Sequence, residues 1–459
     1  MRGISDTFSL RGAKKKNRSV MTGNRKSVIG WALYDWANSA FATTVMAAFF
    51  PLYFKAFWSA GTDPVVSTAR LGMANSAAGI VIALAAPVLG AMADRGGARK
   101  RLLSFFAFLG IAMTFSLALI ARGSWQTAVF VYVAANIGFT GGNIFYDSLL
   151  PSVAPPERSD AVSSLGFALG YLGGGLLFAL NVMMTMKPDL FGIPDASAAV
   201  RLSFVTVSLW WLAFSLPLFF CVAEPSPAKE RTLRRAVQEG FGQIRDTLRH
   251  VRQLRMIVLF LLAYWLYIDG VDTIIRMALD YGLSLGFETQ DLIMALLITQ
   301  FVGFPCALAF GWLGGRIGTK RSLFIAIAVY IAVTAWGSFI HAPCEFYILA
   351  ALIGTVQGGI QALSRSYYAR IIPPDRAAEY FGFYNMIGKF SVVIGPVIVG
   401  MSGLAARALG CQGDLASRVG IFSIIILFLA GGTILAFVDE EAGRRQARGN
   451  VGRTGSDDN

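Results

Sequence analysis

Charge is scarce in this chain. Only 15% of its 459 residues are Asp, Glu, Lys or Arg, against about 25% in a soluble domain. Histidine occurs twice, at His250 and His341, both in predicted loops. No metal-ligand cluster and no nucleophile–histidine pair can be assembled within an apolar segment, so no enzymatic activity, metal or cofactor is expected. Cysteine occurs four times. Cys344 and Cys411 fall in predicted outer loops; a bridge between them would need an oxidising compartment, and two free thiols are the simpler state.

What replaces charge is long apolar runs. Residues 323–340 hold no charge at all, and about 20 such residues cross ~30 Å of hydrocarbon. Twelve spans are predicted, over 28–57, 69–93, 102–121, 125–149, 161–186, 200–222, 256–281, 291–314, 322–341, 345–369, 380–403 and 418–438. The expected fold is therefore all-α and integral to a lipid bilayer, with no cleavable leader because the first apolar stretch is too long.

The net charge of +13 does not point to nucleic acid. Of the 40 Lys and Arg, 31 fall in segments on the side of the N-terminus and 7 at the opposite ends of the spans. That asymmetry places both termini in the cytoplasm.

The chain also repeats itself. Gly90-Ala-Met-Ala-Asp94-Arg95-Gly-Gly97-Ala-Arg99-Lys100 recurs as Gly311-Trp-Leu-Gly-Gly315-Arg316-Ile-Gly318-Thr-Lys320-Arg321, an offset of 221 residues. Pro155-Pro-Glu-Arg158 recurs as Pro373-Pro-Asp-Arg376 at an offset of 218, which also carries Gly170 onto Gly388. This divides the chain into a basic tail (1–27), a six-helix bundle (28–222), a linker (223–255), a second bundle (256–438) and a polar tail (439–459). Residues 232–253 have the pattern of an amphipathic helix, either lying along the inner membrane face or, the simpler state, a solvated linker helix joining the halves, and the tail from Ala442 reads as disordered. Two parallel six-helix repeats are a transporter plan.

The two short loops resemble the inner-loop signature of the major facilitator superfamily. Three further strings, Tyr34-Asp35-Trp36-Ala37-Asn38-Ser39-Ala40-Phe41, Gln357-Gly-Gly-Ile-Gln361-Ala-Leu-Ser364-Arg365-Ser366 and Phe381-Gly-Phe-Tyr-Asn385-Met-Ile-Gly388-Lys389-Phe390, resemble the vacuolar amino-acid effluxer-like branch, also called the unknown major facilitator family. The resemblance spans residues 30–438. It implies two pseudo-symmetric bundles around a central cavity and efflux of amino acids, neutral ones above all. Two departures stand out: Gly315 replaces the acid at Asp94, and the fifth span has Gly166, Gly170, Gly173, Gly174 and Gly175 without the proline of drug exporters.

Charges within the bilayer are costly, about 2.5–3.5 kcal/mol or more at its centre, so each needs a partner, water or a function. Asp35, Asn38 and Ser39 share a face of the first span. Asn136, Asn143 and Asp147 share one on the fourth, Asp269, Asp272 and Arg276 on the seventh, Gln357, Gln361 and Arg365 on the tenth. The resemblance makes these four the cavity helices. Asp35 or Asp269 is expected to carry a coupling proton. Asp272 and Arg276, at i and i+4, are either a structural pair or an anchor for a substrate carboxylate. Asp147 and Arg365, related by the 218 offset, are expected to pair across the halves as an inner gate. Asp94, Arg95, Arg99, Arg316 and Lys389 are assigned to conformational control. Gly166-x-x-x-Gly170-x-x-x-Gly174 is a small-residue ridge for close helix approach.

The expected function is alternating-access transport of a small polar solute by a monomer in a bacterial inner membrane. Export of a lipid-like or drug-like amphiphile, and a non-transporting membrane sensor, are the alternatives.

Overall fold

The computed structural model describes residues 24–62, 64–224, 254–410 and 415–454, and they contain helices and no strands. The N-terminal half comprises α1 (Arg25–Trp58), α2 (Pro64–Gly96), α3 (Arg99–Leu117), α4 (Trp125–Ser148, continued by the turn Leu150–Val153), α5 (Ser159–Met186) and α6 (Ala196–Cys221). The C-terminal half comprises α7 (Arg255–Ser284), α8 (Thr289–Ile317), α9 (Thr319–Gly337), α10 (Pro343–Ile371), α11 (Ala377–Ala408) and α12, in two runs Leu415–Ser423 and Ile425–Ala436. A further helix, α13, covers Glu440–Thr454. Among the described residues eleven helices are long and apolar enough to cross a membrane, and α11 contributes a shorter apolar stretch, Ile394–Ala408. Each expected span coincides with one of α1–α12 to within a few residues at either end.

Helices prevail because a bilayer offers the backbone no other partner. Side chains cap several of their N-termini. Asn24 Oδ1 accepts the Lys26 amide at 3.2 Å to open α1, and Asp195 accepts the Ala198 amide at 2.7 Å to open α6. Glu345 accepts the His341 and Ala342 amides at 2.7 and 3.0 Å at the start of α10. Pro87, Pro217, Pro305 and Pro396 lie inside α2, α6, α8 and α11, and α1 widens into π turns over Phe41–Phe49 and Phe54–Trp58.

The two halves meet along α2 with α11 and α5 with α8. Glycines let the backbones close in: a Cβ at Gly90 would strike the Ala378 carbonyl, one at Gly382 would lie 2.5 Å from the Ala86 oxygen, and one at Gly311 would lie 2.6 Å from Ser164 Cβ. The glycine ridge of α5 serves a contact inside the N-terminal half instead, with Gly166, Gly170 and Gly174 set against Asp35, Ser39 and Thr43 of α1.

The sequence repeat is off by one residue where it matters. Helices α2 and α8 end at Gly96 and Ile317, 221 apart, but α3 and α9 begin at Arg99 and Thr319, 220 apart. Lys100 Nζ donates to the Phe219 and Val222 carbonyls at the end of α6 at 2.8 and 2.6 Å. Lys320 Nζ donates to Ala436 and Val438 at the end of α12, both at 2.8 Å. Lys320, aligned with Arg99 by sequence, therefore does the work of Lys100, and Thr319 stands where Arg99 stands.

The polar tail departs from expectation. The segment from Ala442 is part of α13, which docks on the ends of α7 and α10: Gln446 Oε1 accepts the Met256 amide at 3.3 Å, Ala447 is buried, and a Cβ at Gly443 would meet Ile371 at 3.0 Å. Glu440 pairs with Arg444 at 2.7 Å, and small residues at 443 and 447 allow close docking that a count of charges does not reveal. The linker helix expected over 232–253 lies outside the described residues. Cys344 is a free thiol; Cys411 lies outside the described residues.

Candidate functional site

A cavity of about 490 Å³ lies between the halves, within the range of small-molecule sites. Its lining runs from Asp35, Asp147 and Arg365 to Tyr281, Leu292 and Phe346, near the opposite ends of α7, α8 and α10. The end bearing the short basic loops, here termed the basic face, closes beneath the floor.

Arg365 builds that floor. It projects from α10 into the N-terminal half, where Nη1 donates to Asp147 Oδ1 at 3.1 Å and Nη2 to Asp35 Oδ2 at 3.2 Å. Nε and Nη2 also reach Ser163 Oγ and O, each at 2.9 Å. Tyr146 O–H donates to Asp35 Oδ2 at 2.7 Å. The guanidinium carbon lies 4.3, 4.7 and 5.3 Å from the ring centres of Phe167, Trp31 and Tyr146, close enough for cation–π attraction. Side-chain exposure is 4% for Arg365 and 11% for each acid, so none of these charges can lose its partner cheaply. Above the floor Asn38 Nδ2 donates to Asn143 Oδ1 at 2.6 Å, and Gln300 of α8 donates to Thr43 of α1.

The family model described as "Vacuole effluxer Atg22 like" matches residues 23–448. The chain belongs to this family. It is 40% identical to the uncharacterised MFS-type transporter YxiO of Bacillus subtilis, over 90% of this chain and 94% of that one. It is 22% identical to autophagy-related protein 22 of Yarrowia lipolytica, over 77% and 73%. Among solved structures it resembles the major facilitator proton:xylose symporter XylE, with a TM-score of 0.64 at 14% identity over 91% of this chain and 96% of that one. It also resembles the human organic anion transporter MFSD10, with a TM-score of 0.61 at 16% identity over 91% and 99%. The fold is accordingly the twelve-helix, two-bundle fold of the major facilitator superfamily.

Below the floor, this Atg22-like chain closes its basic face at two latches. In the first, Asp94 Oδ1 and Oδ2 accept the Ala378 and Glu379 amides at 3.1 and 2.8 Å, capping α11 from across the interface. Arg99 pairs with Asp94 at 2.6 Å and donates to the Ser148, Pro374 and Asp375 carbonyls at 3.3 Å. The second is built differently. Asp160 of α5 pairs with Arg370 at 3.1 Å, accepts from Thr319 Oγ1 at 2.7 Å and accepts from Ser366. Arg370 also faces Glu440 of α13 at 3.3 Å.

Of the residues singled out in the sequence, Asp35, Asn38, Asn143, Asp147, Asp272, Gln357, Gln361 and Arg365 line the cavity. Two do not. Asn136 is buried in α4 and accepts from Thr140 at 3.2 Å. Asp269 turns to α11, where both its oxygens accept the Gly395 amide, at 3.1 and 3.0 Å, beside Pro396. Helical spacing gave its depth but not the neighbour it faces. Arg316 is exposed, over the Trp312 ring at 4.9 Å, apart from both latches. The side chains of Arg95, Arg276 and Lys389 lie outside the described residues. Sequence reasoning missed Tyr146, Ser163 and the Asp160–Arg370 latch. Asp160 follows the repeated Pro-Pro-Glu-Arg turn by two residues, which was the available signal.

Proposed function

We propose that this protein is a secondary active transporter that moves a small polar solute by alternating access. The carrying observation is the cross-half ion network of Arg365 with Asp35 and Asp147, set at the closed end of a cavity whose lining reaches the other end of the helices. Breaking that network and the two latches is the step that opens the basic face. The family's description as vacuole effluxers supports efflux of amino acids, neutral ones first, and the bacterial relative supports a plasma-membrane location. The excess of Lys and Arg on the basic face supports placing both termini in the cytoplasm. The unit of transport is the monomer, and no cofactor, metal or nucleic acid takes part.

Proton coupling through Asp35 or Asp269 belongs to the same reading. Asp35 holds the stronger position, because it faces the cavity and shares a guanidinium with a second acid. The test is reconstitution in liposomes with an imposed pH gradient and a panel of labelled solutes. Gradient-driven flux is expected, reduced at least tenfold in Asp35→Asn. Gradient dependence surviving in both Asp35→Asn and Asp269→Asn would remove proton coupling from the account.

One feature favours a second reading, export of an amphiphile. Away from the floor the cavity wall is largely apolar, with Ile275, Leu292, Leu296, Phe346, Ile353 and Ile421. An amphiphile with a polar head would place its tail there, as would an amino acid with an apolar side chain.

A further inference from the structure

Among the described side chains, the floor of the cavity has more acid than base. Asp35 and Asp147 share one guanidinium, which leaves one formal negative charge uncompensated within the triad. The oxygens that Arg365 does not engage are the weakly held ones. Among the described residues Asp35 Oδ1 has no hydrogen-bond partner, and Asp147 Oδ2 accepts one long contact, of 3.4 Å, from Asn385 Nδ2. The positive charge itself is boxed by Trp31, Tyr146 and Phe167, an arrangement that suits any organic cation. Arg365 cannot leave by giving up its proton, so freeing it requires the carboxylates to take up a proton or another cation.

We propose that the floor is an organic-cation site which Arg365 occupies while the basic face is closed, and that the protonated amine of a solute competes with Arg365 for Asp35 and Asp147. This rests on the transport reading above and names the head group the same cavity selects. A solute amine arriving from the end opposite the basic face meets the disengaged oxygens first. Asn38 and Asn143, paired at 2.6 Å one turn above, retain a carbonyl oxygen and an N–H for the solute's other polar atoms. An anionic head finds four of the five N–H donors of Arg365 committed to Asp35, Asp147 and both oxygens of Ser163, and it meets the surplus negative charge of the triad. Binding of the amine loosens the pair that ties α10 to α1 and α4, so loading and opening are coupled.

The experiment uses the full-length protein in liposomes with three labelled probes of one carbon skeleton: leucinamide, a cation; leucine, a zwitterion; and N-acetyl-leucine, an anion. Leucinamide and leucine are expected to be carried at least tenfold faster than N-acetyl-leucine. In a cysteine-free background, Ser159→Cys, buried on the closed basic face, reports opening through its rate of thiol modification. Leucinamide is expected to raise that rate about fivefold, the low end of a ligand-linked conformational coupling, and N-acetyl-leucine to leave it unchanged. Transport of N-acetyl-leucine at the rate of leucinamide would overturn the proposal while leaving the transport reading intact. An unchanged modification rate at saturating leucinamide would remove the competition with Arg365. Flux of none of the three, nor of any solute in the wider panel, would sink the transport reading and this proposal with it. The wild-type selectivity decides between these outcomes without relying on any variant of the floor.

Discussion

The two basic loops share one sequence pattern and close the same face by different chemistry. In the first, Asp94 reaches across to cap α11 and Arg99 ties the turn before it. In the second, the acid has gone from Gly315 and the loop is one residue shorter. The carboxylate comes instead from the opposite partner, Asp160 on α5, reaching back to Thr319 and Arg370. The outcome is a uniform polarity. In each cross-half ion pair among the described residues the carboxylate (Asp35, Asp147 or Asp160) belongs to the N-terminal half and the guanidinium to the C-terminal half. A fold can keep its two-fold architecture while these ion pairs all take one polarity, because packing fixes where the helices lie and the charges need only meet.

Substitutions at the two latches break this comparison first. Asp160→Asn is expected to have the largest effect, since breaking a buried pair by removing one partner costs about 3–5 kcal/mol. Asp94→Asn is expected to cost less: an asparagine still caps a helix N-terminus, and Arg99 keeps its three carbonyl acceptors. Thermal unfolding of the two purified variants gives the order directly, and a larger loss at Asp94 would reverse the argument. Gly315→Asp sharpens it. Nothing lies within 4 Å of a Cβ at Gly315, so the change should be tolerated. It should fail to rescue Asp160→Asn, because Thr319 replaces the arginine the first loop uses.

Gly166→Ala comes next. Its methyl carbon would sit 2.5 Å from Asp35 Oδ2 and 3.1 Å from Arg365 Nη2, and overpacking of this kind costs about 1–3 kcal/mol. Transport should fall severalfold while the two latches remain. Retained wild-type flux would show that the floor tolerates more displacement than its contacts imply. The smallest effect is expected from Glu440→Gln, whose partly exposed pairs with Arg370 and Arg444 are worth ~1 kcal/mol or less. A large change in flux from that variant would give α13 a role well beyond docking.

Much of the architecture could be read from the sequence, because twelve apolar runs and a repeated loop leave few alternatives in a bilayer. The pairing of Asp147 with Arg365 was legible too, from a single offset shared by two turns. What could not be read depended on rotation about a helix axis or on one residue of loop length. Asp269 and Asp272 lie on one stripe, yet Asp272 lines the cavity and Asp269 accepts the Gly395 amide of α11. Lys320 aligns with Arg99 and behaves as Lys100. The order of α13 was hidden because its docking rests on Gly443 and Ala447, residues that leave no hydrophobic pattern.

The central claim is that the Arg365 network holds the basic face closed and must be remade in each transport cycle. Exchanging its charges tests this most directly. Leucine flux is to be measured in liposomes for Asp147→Arg, Arg365→Asp and the double variant carrying both. Each single reversal places like charges together and should abolish flux, whereas the double variant keeps the triad's formal charge and should recover a substantial part of it. Single reversals that transport normally, or a double variant as inactive as the singles while folded to the same melting temperature, would contradict the account.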